Sequence, residues 1–244
     1  MLPGRGQPGE EIMPEATPQD RRAIARGFIS LAVTIVIMAV LLFVPAGILS
    51  WSLGWWFIVT FVLCVLVAIA IIWRANPELF TARSRVQPGT KAWDYIFLVL
   101  VMVGFIGICP IAGLDARFGW SAMPQWVVVL GYVVFVLSFA GQTWPQAVNR
   151  HFEPGVRIQQ DRGQTVIDTG PYAIVRHPGY ISGALLALSM PLMLASWWAL
   201  LPALLVTAAL AVRTPFEERT LRAELPGYTE YTRRVKYRWL PGIW

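Results

Sequence analysis

Long stretches of this chain carry no charged residue, and their lengths predict how many helices cross a membrane. The uncharged stretches of 20 residues or more are residues 27–73, 95–114, 118–149 and 178–212. One membrane-crossing helix needs about 20 apolar residues, so the first and the last stretch are each long enough for two helices. We therefore predict six spans, near residues 27–49, 54–73, 94–114, 125–145, 179–195 and 197–212.

The last two predicted spans, 179–195 and 197–212, are short for a hydrocarbon layer of about 30 Å. They are joined without a polar linker, so we expect them to form a short, tilted hairpin. Such a hairpin returns the chain to the membrane surface from which it came. The predicted fold class is an all-α integral membrane protein with about six transmembrane helices.

Lysine and arginine are unevenly distributed between the two ends of these spans. With six spans, both termini and the loops 74–93 and 146–177 share one side, which holds 19 of the 20 Lys and Arg residues; only Arg117 lies opposite. Cytoplasmic segments of membrane proteins are enriched in these residues. We therefore predict that both termini and these two loops are cytoplasmic.

The composition agrees with a protein of the lipid bilayer: 56% of the residues are hydrophobic and 14% are charged, against about 25% charged residues in soluble domains. The net charge of +6 fits basic loops beside anionic lipids, and we predict no nucleic acid partner.

The chain divides into three predicted regions. Residues 1–22, rich in Pro, Gly and Glu, are predicted to be a disordered cytoplasmic tail. Residues 23–145 form a four-helix membrane region, and residues 146–244 hold the polar loop, the hairpin and a basic tail.

The hairpin brings two distant polar segments to one membrane surface. Residues 176–180 (Arg-His-Pro-Gly-Tyr) lead into its first helix, and residues 213–218 (Arg-Thr-Pro-Phe-Glu-Glu) follow its second. Ionisable groups at a membrane boundary are candidates for a functional site. No metal site is predicted, because the chain has only two histidines and no carboxylate spacing completes a ligand set.

Three residues of these segments each allow a structural and a functional interpretation. His177 precedes a proline suited to the first turn of a helix, and it is either a hydrogen-bonding residue of this corner or a general base. Glu217 either belongs to a solvated charge run or binds an amine or ribose hydroxyls. Arg213 either belongs to the same charge run or binds a carboxylate or another anionic group of a substrate.

The polar segments on either side of the hairpin are also ambiguous. The loop 146–178 reads as extended or irregular backbone, whose free N–H and C=O groups suit an adenine edge or a ribose, although a simple connector fits equally well. The segment 227–241 is basic and aromatic. It predicts an interfacial helix followed by a lid strand, which docks on the membrane or contacts a ligand.

Together these segments resemble the isoprenylcysteine carboxyl methyltransferase family and its phospholipid methyltransferase relatives. The resemblance covers roughly residues 74–241 and is strongest from residue 149 onward. The matching residues are Asn76–Leu79, Val156–Gln159, Gly170–Tyr172, Arg176–Tyr180, Glu217, Glu218, Gly227, Tyr228, Tyr231, Val235 and Pro241. The chain departs from the family at Ser182, where a glycine is common.

The resemblance implies an S-adenosylmethionine-dependent methyltransferase. By this resemblance, Arg213 lies near the substrate, and Arg213 and His177 are the expected catalytic residues. The acceptor would be lipophilic and would enter from the membrane, as an isoprenylcysteine-like carboxylate, a thiol or a lipid amine. The residues expected to contact the cofactor are Gln159, Gln164, Thr165, Val166, Ile167, Tyr172, His177, Pro178, Gly179, Tyr180 and Glu217.

Two other functions are compatible with the sequence. One is a membrane reductase that uses a nicotinamide cofactor on lipid or sterol double bonds, and the other is a non-catalytic membrane scaffold. The Glu217–Glu218 pair and the segment 156–159 favour methyl transfer over reduction. A scaffold would not bind S-adenosylmethionine.

Overall fold

All regular structure in the described part of the chain is helical. A computed structural model describes residues 18–83 and 86–244. The predicted all-α fold class is confirmed. The helices are α1 (Pro18–Ala46), α2 (Ser52–Ala75), α3 (Leu79–Ala82), α4 (Asp94–Phe118), α5 (Gln125–Val148), α6 (Pro178–Met193), α7 (Leu200–Glu224) and α8 (Tyr228–Arg234).

The chain divides into two units, residues 1–37 and 38–244. The described part of the first unit is helical, from Pro18 onward, and belongs to α1. Residues 1–17 of the predicted disordered tail lie outside the described residues, and α1 begins within the last part of that predicted tail. The second unit contains the remaining helices and the candidate site.

Within the described residues, five helices are long and apolar enough to cross a membrane, namely α1, α2, α4, α5 and α7. Helix α6 is also apolar but has 16 residues, about 24 Å at 1.5 Å per residue, which is shorter than a hydrocarbon layer of about 30 Å. Large apolar side chains such as Leu63, Val133 and Leu201 are exposed, as expected where helices face lipid. The protein is an integral membrane protein.

Helix α7 is longer than the predicted span, which ended near residue 212. It continues to Glu224 and passes through Pro215. The stretch after this proline is rich in Glu, Arg, Leu and Ala, which have high helix propensity. Residues 213–218 therefore belong to the same continuous helix as the apolar residues 200–212, and their polar side chains lie beyond that apolar part.

Glycines allow the hairpin helices to approach their neighbours closely. A Cβ atom placed on Gly131 of α5 would lie 2.7 Å from the backbone nitrogen of Met193 in α6. A Cβ atom on Gly104 of α4 would lie 2.5 Å from a methyl group of Val206 in α7. Helices in lipid associate largely through such close packing, so these contacts fix the positions of α6 and α7.

A buried carboxylate holds the tip of the α6–α7 hairpin. Asp115, near the end of α4, is 2% exposed. It accepts hydrogen bonds from the Ser121 and Ser196 hydroxyls, at 2.6 and 2.5 Å. A buried charge is tolerated only when it is hydrogen-bonded, and here the bonds tie α4 to the turn between α6 and α7.

At the opposite end of the hairpin, the segment that follows α8 crosses the start of α6. The backbone N–H groups of Arg176 and His177 donate to the carbonyl oxygens of Tyr237 and Arg238, both at 2.9 Å. This segment is not a strand, so the predicted lid strand is wrong; the stretch 164–167 is not a strand either. Neither segment lies beside a second extended backbone that continues the hydrogen-bond ladder a strand requires.

The close contact at Gly131 predicts a large difference between two glycine substitutions. Gly131→Ala should destabilise the protein by about 1–3 kcal/mol, because the new methyl group would overlap the α6 backbone. Gly183→Ala is the matched control, since its Cβ would meet its nearest neighbour, Leu210, at an ordinary 3.5 Å. Thermal unfolding in detergent should give a lower midpoint for Gly131→Ala alone; equal midpoints would contradict the packing of α5 on α6.

Candidate functional site

A cleft lies where the α5–α6 loop, the start of α6, the second half of α7 and α8 come together. Every residue that the sequence predicted for the site lines this cleft, whereas the roles assigned to these residues stay predictions. They are Gln159, Gln164, Thr165, Val166, Ile167, Tyr172, His177, Pro178, Gly179, Tyr180, Arg213 and Glu217.

The start of α6 places His177 between two carboxylates. Pro178 is the first residue of the helix, where its missing N–H group costs nothing, and His177 precedes it. The imidazole stacks on the Tyr180 ring, with centroids 5.2 Å apart. Its Nδ1 lies 3.9 Å from Glu217 Oε2, and its Nε2 lies 3.4 Å from Glu218 Oε1. The ring is thus held in a fixed orientation beside negative charge.

The two adjacent glutamates of α7 have different surroundings. Glu217 lines the cleft and accepts a hydrogen bond from the Tyr180 hydroxyl. Glu218 is 2% exposed and forms ion pairs with Arg176 and Arg238, at 2.5 and 2.9 Å. Glu217 is therefore available to a ligand, while Glu218 is committed to the structure.

The Arg176 guanidinium extends this buried network to the segment after α8. Its Nη1 donates to the carbonyl oxygens of Val235 and Lys236, both at 2.7 Å. Because its Nε binds Glu218, one side chain connects the start of α6, helix α7 and the crossing segment. The sequence placed Arg176 near the site but did not predict this connecting role.

Arg213 is already paired with a carboxylate that the sequence analysis did not identify. Its Nε and Nη2 donate to the two oxygens of Asp94, at 2.7 and 2.8 Å, and Nη2 also donates to the Pro154 carbonyl. Asp94 is completely buried and accepts a third bond from the Val156 N–H group, at 2.7 Å. The sequence did contain a signal for a buried role of Asp94, because an acidic residue stands at the first position of a long apolar span.

The pairing with Asp94 leaves only part of the Arg213 guanidinium for the expected binding of an anionic substrate group. Among the described residues, its Nη1 makes no hydrogen bond, and the guanidinium lies over the Tyr180 ring at 5.3 Å. The side chain can offer an anionic group at most the edge that contains Nη1. Its position is set by the salt bridge rather than by a ligand.

The loop side of the cleft is held by amide and hydroxyl hydrogen bonds. Asn149 Nδ2 donates to the Tyr172 hydroxyl at 3.0 Å, and the Tyr231 hydroxyl donates to the Tyr172 carbonyl at 2.7 Å. Burial raises the pKa of Tyr172 above its ordinary value, so this phenol stays neutral. Asn149 also accepts the N–H group of His151. The sequence analysis assigned no role to Asn149.

Gln159 is largely occupied in shaping the loop. Its side chain is 2% exposed, its Nε2 donates to the His151 carbonyl at 2.7 Å, and its backbone N–H donates to the Gln164 side chain at 2.7 Å. Burial lowers the pKa of His151, which favours a neutral ring. Gln159 thus lines the cleft while it holds residues 159–164 in a tight turn.

Apolar side chains of α8 and of the segment before it pack against the loop and form one wall of the cleft. Val166 packs against a buried cluster that contains Leu225, Tyr228 and Tyr231. Within the described residues, the buried Tyr228 hydroxyl and His177 Nε2 have no hydrogen-bond partner. Burial raises the pKa of Tyr228, so its hydroxyl remains a donor. Unsatisfied buried polar atoms are rare in native proteins, and the Tyr228 hydroxyl belongs to a residue that lines the cleft.

The departure from the family pattern at Ser182 lies outside the cleft. The Ser182 hydroxyl donates to the Pro178 carbonyl at 2.8 Å and faces Gly141 of α5. This serine therefore affects the packing of α6 on α5.

No three His, Cys, Asp or Glu side chains of the described ranges are arranged to bind a metal ion.

The buried Asp94–Arg213 pair predicts a strong effect on stability. Asp94→Asn should lower the free energy of unfolding by about 3–5 kcal/mol, because the arginine would remain buried without its countercharge. Asp168→Asn is the control, since its pair with Arg234 is largely exposed and such pairs contribute about 0–1 kcal/mol. Unfolding midpoints measured in one detergent test this; similar values for both variants would refute a structural role for the pair.

A comparison with models of known protein families gives a match. The family model described as phospholipid methyltransferase matches residues 126–225, a range that contains nearly all of α5, the loop that follows it, α6 and α7. No curated protein matches the chain. The match covers most of the cleft and confirms the resemblance to this group of membrane methyltransferases. Residues 126–225 of this chain are similar to the phospholipid methyltransferase family.

Proposed function

We propose that the protein transfers a methyl group from S-adenosylmethionine to a lipophilic or membrane-associated acceptor. The observation that carries this proposal is the cleft itself: the Glu217 carboxylate and a stacked His177–Tyr180 pair meet inside the segment matched by a methyltransferase family. The neighbouring Glu218 and the second cleft carboxylate, Glu153, both form ion pairs with arginines, which leaves Glu217 available to a ligand.

The cleft residues suit the chemical groups of S-adenosylmethionine. The Glu217 carboxylate can accept hydrogen bonds from ribose hydroxyls or from an ammonium group. The Tyr228 hydroxyl, which has no partner among the described residues, can donate to a carboxylate. Gln164 to Ile167 add backbone N–H and C=O groups suited to an adenine edge.

The chemistry requires alignment more than activation by the protein. S-adenosylmethionine would supply an electrophilic methyl group, and the lone pair of the acceptor would form a bond to that carbon while the electrons of the carbon–sulfur bond remain on sulfur. The protein would hold both partners in line and exclude water with the α5–α6 loop and the segment after α8. Alignment of bound reactants can lower a barrier by about 7–11 kcal/mol.

The acceptor determines whether a base is needed. A carboxylate acceptor loses no proton, and the edge of Arg213 near Nη1 could orient it. A thiol or an amine must lose a proton, and His177 or Glu217 would accept it. The acceptor would enter from the bilayer, and we propose that the cleft opens to the cytoplasm, because 19 of the 20 Lys and Arg residues lie in segments assigned to that side.

Three glutamates of α7 provide a matched test of this proposal. Glu217→Gln should weaken S-adenosylmethionine binding by roughly tenfold or more, the scale of one hydrogen bond to a charged group, without a change in the unfolding midpoint. Glu224→Gln, which removes an exposed pair with Lys91, should change neither quantity. Glu218→Gln should lower the midpoint, because it breaks the buried Arg176 pair. Isothermal titration calorimetry and thermal unfolding provide the two measurements.

His177→Ala tests whether this ring takes part in turnover. If the acceptor is a thiol or an amine and His177 is the base, the variant should lose activity most strongly at low pH, where the acceptor is protonated. Its cofactor affinity should fall less than its rate. Full activity of both His177→Ala and Glu217→Gln would refute the assignment of this cleft as the active site.

A further inference from the structure

A second cavity, of about 330 Å³, lies between α2 and α5 at the end of the helices that carries the cleft. This volume is at the lower end of the range of small-molecule pockets, roughly 300–1,000 Å³, and would hold one apolar chain. Most of its wall is aliphatic or aromatic. The apolar lining consists of Val65, Ala68, Ile69, Ile72, Leu79, Phe80 and Phe139.

The polar residues of this cavity are Arg83, Gln142, Thr143 and Gln146. The Thr143 hydroxyl and the Gln146 amide donate to backbone carbonyls of α5. In contrast, Gln142 Oε1 is buried and has no partner among the described residues. Arg83 forms no ion pair within the described part of the chain. The cavity thus combines an apolar wall with one cation and one free acceptor.

Phe152 and Gln142 separate this cavity from the cleft. The Arg83 guanidinium lies over the Phe152 ring, 5.0 Å from its centroid. Gly179, which lines the cleft, adjoins the other side of this partition: a Cβ atom placed there would lie 2.8 Å from the Phe152 ring and 3.8 Å from Gln142 Oε1. The two spaces are therefore separated by the thickness of a side chain.

We propose that this cavity binds the apolar chain of the methyl acceptor, and that Arg83 binds an anionic group of the same molecule. The substrate class is then a single-chain amphiphile with an anionic head, which extends past Phe152 and Gln142 toward the cleft. This inference rests on the proposed function. Seven of the eleven residues that line the cavity lie within residues 65–83, outside the matched range 126–225, so this wall is a feature of the chain that the family match does not describe.

Photolabelling of the full-length protein in nanodiscs tests the chain site. The probe is a long-chain fatty acid with a mid-chain diazirine, and mass spectrometry locates the labelled peptides. Labels should concentrate on residues 65–72 and 139–146. Ala68→Trp, which fills the cavity, should reduce this labelling about tenfold, the factor expected for exclusion of roughly two methylene groups from an apolar site. Ala68→Leu should give an intermediate loss.

Val67→Trp is the matched control, because Val67 is next in sequence but 60% exposed on the outer face of α2. The Val67→Trp variant should be labelled by the probe to the same extent as the unmodified protein. Equal labelling of Val67→Trp and Ala68→Trp would mean that the probe contacts only the lipid-facing surface, and the cavity proposal would be overturned.

The charge of the head group is tested separately. Arg83→Gln should weaken labelling by the fatty acid but not by the corresponding fatty alcohol, and Arg74→Gln should affect neither probe. If Arg83→Gln weakens labelling by neither probe, the assignment of an anionic head is overturned. Calorimetry with S-adenosylmethionine on the same samples distinguishes the two proposals: Ala68→Trp should retain cofactor binding, whereas failure of the unmodified protein to bind it would refute the proposed function alone.

Discussion

The buried ion pair between Arg176 and Glu218 is the interaction on which the cleft depends. Removal of two charges from water is costly, and it is tolerated only when every donor and acceptor is satisfied. Here Arg176 also donates to the Val235 and Lys236 carbonyls, and Glu218 also accepts a hydrogen bond from Arg238. The start of α6, helix α7 and the segment after α8 are thus joined at one point.

The same pair explains a division of roles between adjacent residues. Arg176 and Glu218 face each other within the structure, so their neighbours, His177 and Glu217, are directed to the cleft and lie 3.9 Å apart at their closest polar atoms. Two consecutive polar residues can thereby supply one side chain to the structure and the other to the cleft. The Tyr180–Glu217 hydrogen bond adds a second connection across the hairpin.

Helix α4 supports this arrangement at both ends. Its first residue, Asp94, binds Arg213, and Asp115 binds the hairpin turn through Ser196. The two acids are separated by a helix rise of about 32 Å, close to the thickness of the hydrocarbon layer. Each charge is therefore buried where the apolar part of the bundle ends, and together they hold both ends of the α6–α7 hairpin against α4.

Much of this architecture could be predicted from the sequence, because uncharged stretches locate the membrane helices and a long one must fold back. That reasoning brought residues 176–180 and 213–218 together correctly. It did not find the Asp94–Arg213 pair, since helices that are apolar on all sides give no periodicity from which to read which faces meet. The hydrophobic pattern alone gives the same position to Glu217 and Glu218, whose roles depend on side-chain direction; only the comparison with the methyltransferase families and the spacing from Arg213 singled out Glu217. The predicted lid strand was wrong because the segment after α8 hydrogen-bonds through its backbone to Arg176 and His177, at the start of a helix, and not to a second strand.

The central claim is that this cleft binds a methyl donor and passes its methyl group to a lipophilic acceptor. The most direct measurement is incubation of the purified protein with methyl-labelled S-adenosylmethionine and a membrane lipid extract, with products identified by mass. The account predicts that label appears in a lipid-soluble product and that Glu217→Gln reduces its amount. Absence of any labelled product, together with absence of S-adenosylmethionine binding, would contradict it.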